Sequence, residues 1–142
     1  MPTRTSKAVW EGTIEKGRGQ LTMGSGSCSP PYSFASRFES EPGTNPEELL
    51  AAAHAGCFAM ALSLALGQAG FQPERVAAEA AVTIERSGDG FAIRSSALTC
   101  EARVPGLDAA TFAKHAEAAK SGCPVSKALT GVEITLDATL AE

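Results

Sequence analysis

Two cysteines stand out by their settings, and each setting points to a different kind of thiol chemistry. Cys123 lies in Ser121-Gly122-Cys123-Pro124, where the chain breaks and Pro124 suits the first position of a new helix. Cys123 is then the cap of that helix. A thiol there faces the positive end of the helix dipole and free amide donors, which lower its pKa toward that of a usable nucleophile. The plainer alternative is a small residue that fits a tight turn. Cys57 sits instead inside a long apolar run, one helical turn after His54. A buried cysteine is commonly inert. It becomes nucleophilic only when a cation or a donor is brought to it. A lone histidine on an apolar helix is commonly a satisfied core group. His54 and Cys57 are also types that bind metals, but no further local ligand pair supports such a site. Cys28, in a Ser/Gly/Pro loop, and Cys100, on the apolar side of a strand, are given no role.

The element that carries Cys57 organises the chain. From Leu49 to Leu66 there is no charged residue. Thr44 or Asn45 can cap the run, Pro46 suits its first position, and Glu47 and Glu48 favour the positive end of the dipole. Gly67 and Gly70 mark its exit, with Pro73 shortly after. Apolar on nearly every face, such a helix is expected to be buried. The run is Ala-rich, contains His54, Gly56 and Ser63, and lacks flanking Lys/Arg anchors. Those features favour the core of a soluble protein over a membrane span.

The flanking elements read as a mixed fold. Residues 8–23 read as a hairpin, with Ala8, Trp10, Gly12 and Ile14 on one parity and a turn at Lys16-Gly17-Arg18-Gly19. Residues 24–31 are a loop. Tyr32, Phe34 and Phe38 read as a short extended aromatic piece that contains Arg37. Val76, Ala78, Ala80, Val82 and Ile84 mark a half-buried strand, and Ser87-Gly88-Asp89-Gly90 turns it back. The return strand begins with Phe91 and Ile93 on one parity and ends with Leu98, Cys100, Ala102 and Val104 on the other. That change requires a bulge or bend near Ser95-Ser96. Asp108 caps a helix over 109–120 with Phe112, Ala113 and Ala116 inward. The helix capped by Cys123 runs to Leu129. A last strand follows with Val132, Ile134, Leu136, Ala138 and Leu140 on one face. The fold class is α+β in one domain, 1–142.

Composition narrows the function. Among 142 residues, 12 Lys and Arg stand against 16 Asp and Glu, for a net charge of −4. That balance argues against a nucleic-acid or anionic-membrane surface. The first seven residues lead into no apolar signal core, so the expected compartment is the cytoplasm. The four cysteines follow no CxxC or zinc-finger spacing.

Gly43-Thr44-Asn45-Pro46-Glu47-Glu48-Leu49, followed by Ala52-Ala53-His54-Ala55-Gly56-Cys57-Phe58-Ala59-Met60-Ala61-Leu62, resembles the first cysteine motif of the OsmC/Ohr family. These are the osmotically inducible and organic hydroperoxide resistance proteins. Ala119-Lys120-Ser121-Gly122-Cys123-Pro124-Val125-Ser126 resembles the second. The resemblance covers essentially the whole chain and leans to the OsmC branch. It implies a thiol-dependent peroxidase that reduces organic hydroperoxides, and hydrogen peroxide less well, in stress defence. It also implies an intertwined homodimer in which sheets from both chains wrap long central helices. Residue by residue, Cys57 matches the peroxidatic cysteine, Cys123 the resolving cysteine and Glu47 the active-site glutamate. This reverses the ranking that helix position alone gives the two thiols. Arg37 resembles the arginine that holds the thiolate in the OsmC branch, and Arg18 lies where the Ohr branch has its arginine. The implied reductant is an external dithiol of the dihydrolipoyl type. No cofactor or metal is required. The competing readings are a non-enzymatic redox sensor or small-ligand binder on the same fold, and a structural dimerisation domain with inert thiols.

Helix geometry adds an expectation about assembly. Glu47 and Cys57 are ten residues apart, roughly 15 Å along a helix axis and turned away from each other by about 80°. Two such helices packed antiparallel about a two-fold axis would bring Glu47 of one chain beside Cys57 of the other. The site is then expected to be shared between two chains.

Overall fold

A computed structural model describes residues 1–142. The chain forms two compact units, 1–49 and 50–142. In the first, β1 (Ser6–Glu11) and β2 (Arg18–Met23) pair antiparallel, and β3 (Pro31–Tyr32) adds to the other edge of β2. The predicted hairpin is therefore present but its turn is displaced: β1 ends at Glu11, and Arg18 and Gly19, expected in the turn, already pair as the start of β2. Gly12 takes a positive φ of 95°, which ends the strand, and Ile14 lies in the connection with its side chain exposed.

The aromatic piece is not extended. Phe34–Phe38 is a short helix, α1. Its cause is local: the Ser33 hydroxyl accepts from the Ser36 N–H, while the Ser36 hydroxyl accepts from the Ser33 N–H. This reciprocal capping satisfies two orphan donors and outweighs the strand preference of the aromatics. Phe34 and Phe38 end one turn apart on the same face, with ring centroids 5.0 Å from each other.

Helix α2 spans Pro46–Gln68, and the boundary between the units falls within its first turn. Of the two candidate caps, Asn45 serves. Its side-chain oxygen accepts from the Glu48 N–H at 2.8 Å, and its amide donates to the Ser36 carbonyl at 3.0 Å. The expectation of a helix buried all round is overturned for the single chain. His54, Phe58, Leu62 and Leu66, four residues apart in succession, are fully buried. Met60 and Leu64 are 76% and 61% exposed. One stripe thus meets the core, while other apolar positions of α2 face outward. By length and composition α2 could cross a membrane, with mean hydropathy 1.9 over a window that is 22% buried.

In the second unit β4 (Arg75–Ser87), β5 (Gly90–Arg103) and β6 (Glu133–Ala141) form a sheet in that order. β4 and β5 are antiparallel and joined by a two-residue turn in which Gly88 has a φ of +60°. Thr83 pairs with Ser95 but Ile84 pairs with Ile93, which leaves Arg94 as the extra residue of a bulge. The parity change therefore arises one residue before the predicted Ser95-Ser96, and it turns Ser96, Leu98, Cys100 and Ala102 inward together. β6 runs parallel to β5, reached through α3 (Ala109–Gly122) and α4 (Pro124–Ala128). Asp108 caps α3 by accepting from the Thr111 N–H at 2.9 Å. Its buried stripe is Phe112, Ala116 and Ala119. Ala113 is exposed, because the inward face of the helix runs through the fourth and seventh residues after Phe112 and not its neighbour.

The core of this unit joins Phe58, Leu62 and Leu66 of α2 to Leu98, Cys100 and Ala102 of β5, and to Phe112, Ala116 and Ala119 of α3. Each large apolar side chain buried there contributes roughly 1.5–3 kcal/mol. The net result is a rigid bed beneath the segment of α2 that carries His54 and Cys57.

Candidate active site

Each unit gathers part of the expected site. In the first, Arg37 projects from α1 and Glu47 from the first turn of α2. The Arg37 Nη2 lies 2.7 Å from Glu47 Oε1, and its Nε lies 3.2 Å from both carboxylate oxygens. This side-on fork fixes the plane of the guanidinium as well as its position. Glu47 is 7% exposed. The Arg37 guanidinium also lies 5.2 Å from the centroid of the Phe38 ring. The capping network holds both partners in place, since Asn45 ties the start of α2 to Ser36 of α1. Arg18 is exposed at the start of β2, its Cα opposite Glu11. Of the two candidate arginines, Arg37 is the one that Glu47 holds.

In the second unit Cys57 of α2 and Cys123 at the start of α4 are neighbouring free thiols, each shifting the other's ionisation. As the sequence predicts, Cys123 is the cap of α4, and its sulfur accepts from the Ser126 N–H at 3.4 Å. Burial pushes the Cys123 thiol up, but the Ser126 hydroxyl and N–H, the Cys57 thiol and the Val125 N–H outweigh it, and its pKa falls below the usual value. Cys57 moves the other way. Burial raises its pKa, the Val125 N–H offsets part of that, and the neighbouring Cys123 raises it further. In the single chain Cys123 is therefore the readier of the two thiols to ionise, as the helix-end argument anticipates.

His54 is fully buried, and both of its ring nitrogens are engaged. Nδ1 lies 2.6 Å from the Ser96 hydroxyl and Nε2 lies 2.8 Å from the Ser126 hydroxyl. It is the satisfied core histidine that the sequence suggests, with no ring nitrogen left for a metal beside Cys57. No cluster of three His, Cys, Asp or Glu side chains offers a metal site. Ser126 also lies 3.4 Å from Cys123 Sγ through its hydroxyl. Cys28 is exposed and Cys100 buried, as expected.

A groove of about 590 Å³ opens beside Cys57, lined by Met60, Ala61, Leu64, Ala65 and Ala118 among others. Its walls are mostly apolar, with Gln68 among them. The arrangement in this unit is a pair of neighbouring thiols, Cys57 lining an apolar groove and Cys123, of lowered pKa, buried behind it. Such a pair can be oxidised at one sulfur and closed to a disulfide by the other.

Residues 38–137 match the family model described as OsmC-like protein. The chain belongs to the OsmC family. It is 51% identical over 135 residues to Peroxiredoxin OsmC of Escherichia coli (strain K12), covering 94% of each chain. It is 34% identical over 96 residues to the organic hydroperoxide resistance protein of Xanthomonas axonopodis pv. citri (strain 306), covering 66% of each. Among solved structures, the organic hydroperoxide resistance protein OhrB of Bacillus subtilis matches with a TM-score of 0.71 at 27% identity, covering 94% of this chain and 97% of that one. An OsmC-like protein from Mycoplasma pneumoniae matches in fold, with a TM-score of 0.75 at 18% identity over 99% of both chains. The α+β, OsmC-like fold class expected from the two cysteine motifs is the one observed.

Sequence reasoning passed over Ser96 and Ser126. Ser126 was within reach, since it stands three residues after a helix-capping cysteine, where its N–H must meet the cap. Ser96 was not, because only the bulge at Arg94 decides which face of β5 it joins.

Proposed function

We propose that this OsmC-family protein is a cysteine peroxidase that reduces organic hydroperoxides to alcohols in stress defence. The observation that carries the reading is the neighbouring pair of thiols Cys57 and Cys123, with Cys57 lining the apolar groove. The names of its relatives, a peroxiredoxin and organic hydroperoxide resistance proteins, point the same way. Cys57 is the peroxidatic residue. As thiolate it attacks the outer peroxide oxygen, the O–O bond breaks, and the alkoxide leaves and takes up a proton. Cys57 is left as a sulfenic acid. Cys123 then attacks the Cys57 sulfur, the S–O bond breaks, and hydroxide leaves and is protonated to water. An external dithiol, possessing two thiols on one carrier as a dihydrolipoyl group does, reduces the disulfide by exchange.

The raised pKa of Cys57 in the single chain means that a cation must be brought to it. Arg37, aimed by Glu47, is that cation, and it comes from a second copy of the chain in a homodimer. The exposed Met60 and Leu64 on α2 suit burial against such a copy. The four free thiols suit a reducing compartment, the cytoplasm.

The test is consumption of cumene hydroperoxide and hydrogen peroxide with a dithiol present, for wild type and Cys57→Ser. Turnover with preference for the organic substrate, lost in Cys57→Ser, is expected. Oxidation that stops after one equivalent would favour a redox sensor, and unchanged turnover in the variant would overturn the assignment of Cys57.

A further inference from the structure

Four buried groups run in line through the second unit, and the reaction outlined above uses only the last of them. Ser96 Oγ lies 2.6 Å from His54 Nδ1, His54 Nε2 lies 2.8 Å from Ser126 Oγ, and Ser126 Oγ lies 3.4 Å from Cys123 Sγ. Three elements supply them: β5, α2 and α4. Ser96, His54 and Cys123 are fully buried, and Ser126 is 6% exposed.

We propose that Ser96 and His54 are positioning residues that aim the Ser126 hydroxyl proton at Cys123 Sγ, and so hold Cys123 as the thiolate that closes the disulfide. The proposal rests on the resolving role assigned to Cys123. A thiolate can only accept, so the Ser126 O–H must donate to it. The Ser126 oxygen then needs a donor at His54, which places the imidazole proton on Nε2. Nδ1 is left as an acceptor, and the Ser96 O–H donates to it. Every link has one direction, and the direction is set by the charge at its end. The reverse arrangement fits the thiol: Cys123 S–H donates to Ser126, Ser126 donates to Nε2, and Nδ1–H donates to Ser96. The two neutral tautomers of His54 thus correspond to the two protonation states of Cys123.

Burial supports this logic, because it lowers the His54 pKa and so favours the neutral ring, with one donor and one acceptor nitrogen. The other titratable group facing Cys123 is Cys57, from α2. Its thiol donates to the same sulfur in the resting state and becomes the electrophile after oxidation. In the closing step the Cys123 sulfur supplies the electron pair of the new S–S bond, the S–O bond of Cys57 breaks, and the leaving hydroxide becomes water. Ser126 and His54 gain and lose no net proton.

The experiment needs no peroxide, so it stands apart from the peroxidase assignment. In a Cys57→Ser background, the pH dependence of iodoacetamide labelling at Cys123 is read by peptide mass spectrometry, with Ser126→Ala and Ser96→Ala added singly. Ser126→Ala is expected to raise the Cys123 pKa by about one unit, a tenfold loss of thiolate at fixed pH. Ser96→Ala, which touches no sulfur, is expected to raise it by a smaller, measurable amount. A clamp that merely packs would leave it unmoved. As a readout independent of those variants, ¹⁵N NMR of the two histidines, with His115→Gln for assignment, reports the tautomer. Conversion of His54 from Nδ1–H to Nε2–H as Cys123 ionises supports the relay. A single tautomer throughout, or a Cys123 pKa unchanged in both serine variants, overturns it.

Discussion

Cys57 and Cys123 differ less in chemistry than in what surrounds each sulfur. Cys123 receives the Ser126 hydroxyl and N–H and ionises early, whereas Cys57 is desolvated and shares its neighbour's field. Under the proposed roles, Cys57 meets the peroxide and Cys123 closes the disulfide. Cys123→Ser is expected to abolish sustained turnover but to leave the first oxidation intact, so a sulfenic-acid probe should label Cys57 after one equivalent of peroxide. Loss of that label would mean the two roles are exchanged. In the wild type, mild oxidation should give a Cys57–Cys123 bridge as the dominant disulfide by mass spectrometry, with Cys28 and Cys100 left free. His54 carries a pH signature of its own. Its folded pKa is lowered from 6.5 by burial, so the unfolded chain binds the extra proton more readily. Stability is then undiminished above pH 6.5, the unfolded value, and falls as pH drops below it. Urea unfolding at a series of pH values should show this slope, and His54→Gln should reduce it.

Helix α2 does two tasks with two faces. Its buried stripe ties the site to the sheet, and its outward face offers apolar side chains to a neighbour. Leu62→Ala should cost about 3–5 kcal/mol of unfolding free energy, the usual penalty for a large-to-small change in a packed core. Leu64→Ala, at a 61% exposed position, should cost far less in a dissociated chain. Denaturant titrations of the two variants would separate the faces. Several ends of elements were legible from local chemistry, including the Asn45, Asp108 and Cys123 caps. α1 was not, because a five-residue helix leaves no periodicity, and only the reciprocal bonds of Ser33 and Ser36 create it.

At the scale of the whole molecule, the proposed dimer supplies what one chain lacks, a cation for Cys57. Glu47→Ala and Cys57→Ser should each be inactive alone. Unfolded and refolded together, they should form some mixed dimers in which one site keeps both good residues and the other keeps neither. Partial recovery of hydroperoxide consumption is the expected outcome. No recovery, with heterodimers proven by native mass spectrometry, would count against a site built from two chains. Dilution offers a second check, since activity should fall in step with dimer content measured by light scattering.

The sequence by itself determined the class of chemistry and the main elements. An uncharged run with a proline at its first turn makes a long helix wherever it is placed. A proline after Cys123 marks a helix start there, and the two cysteine motifs carry the family. Those features act within a few residues, so they survive in one dimension. The tertiary structure decided what depends on residues distant in the chain. It placed Ser96 and Ser126 on either side of His54, across separations of 42 and 72 residues. It chose Arg37 over Arg18 as the partner of Glu47, because the capping of α1 and α2 sets the distance between them. It also showed that one chain buries a single stripe of α2. An apolar sequence states that a surface needs covering, but only packing reveals how much of it a chain covers for itself.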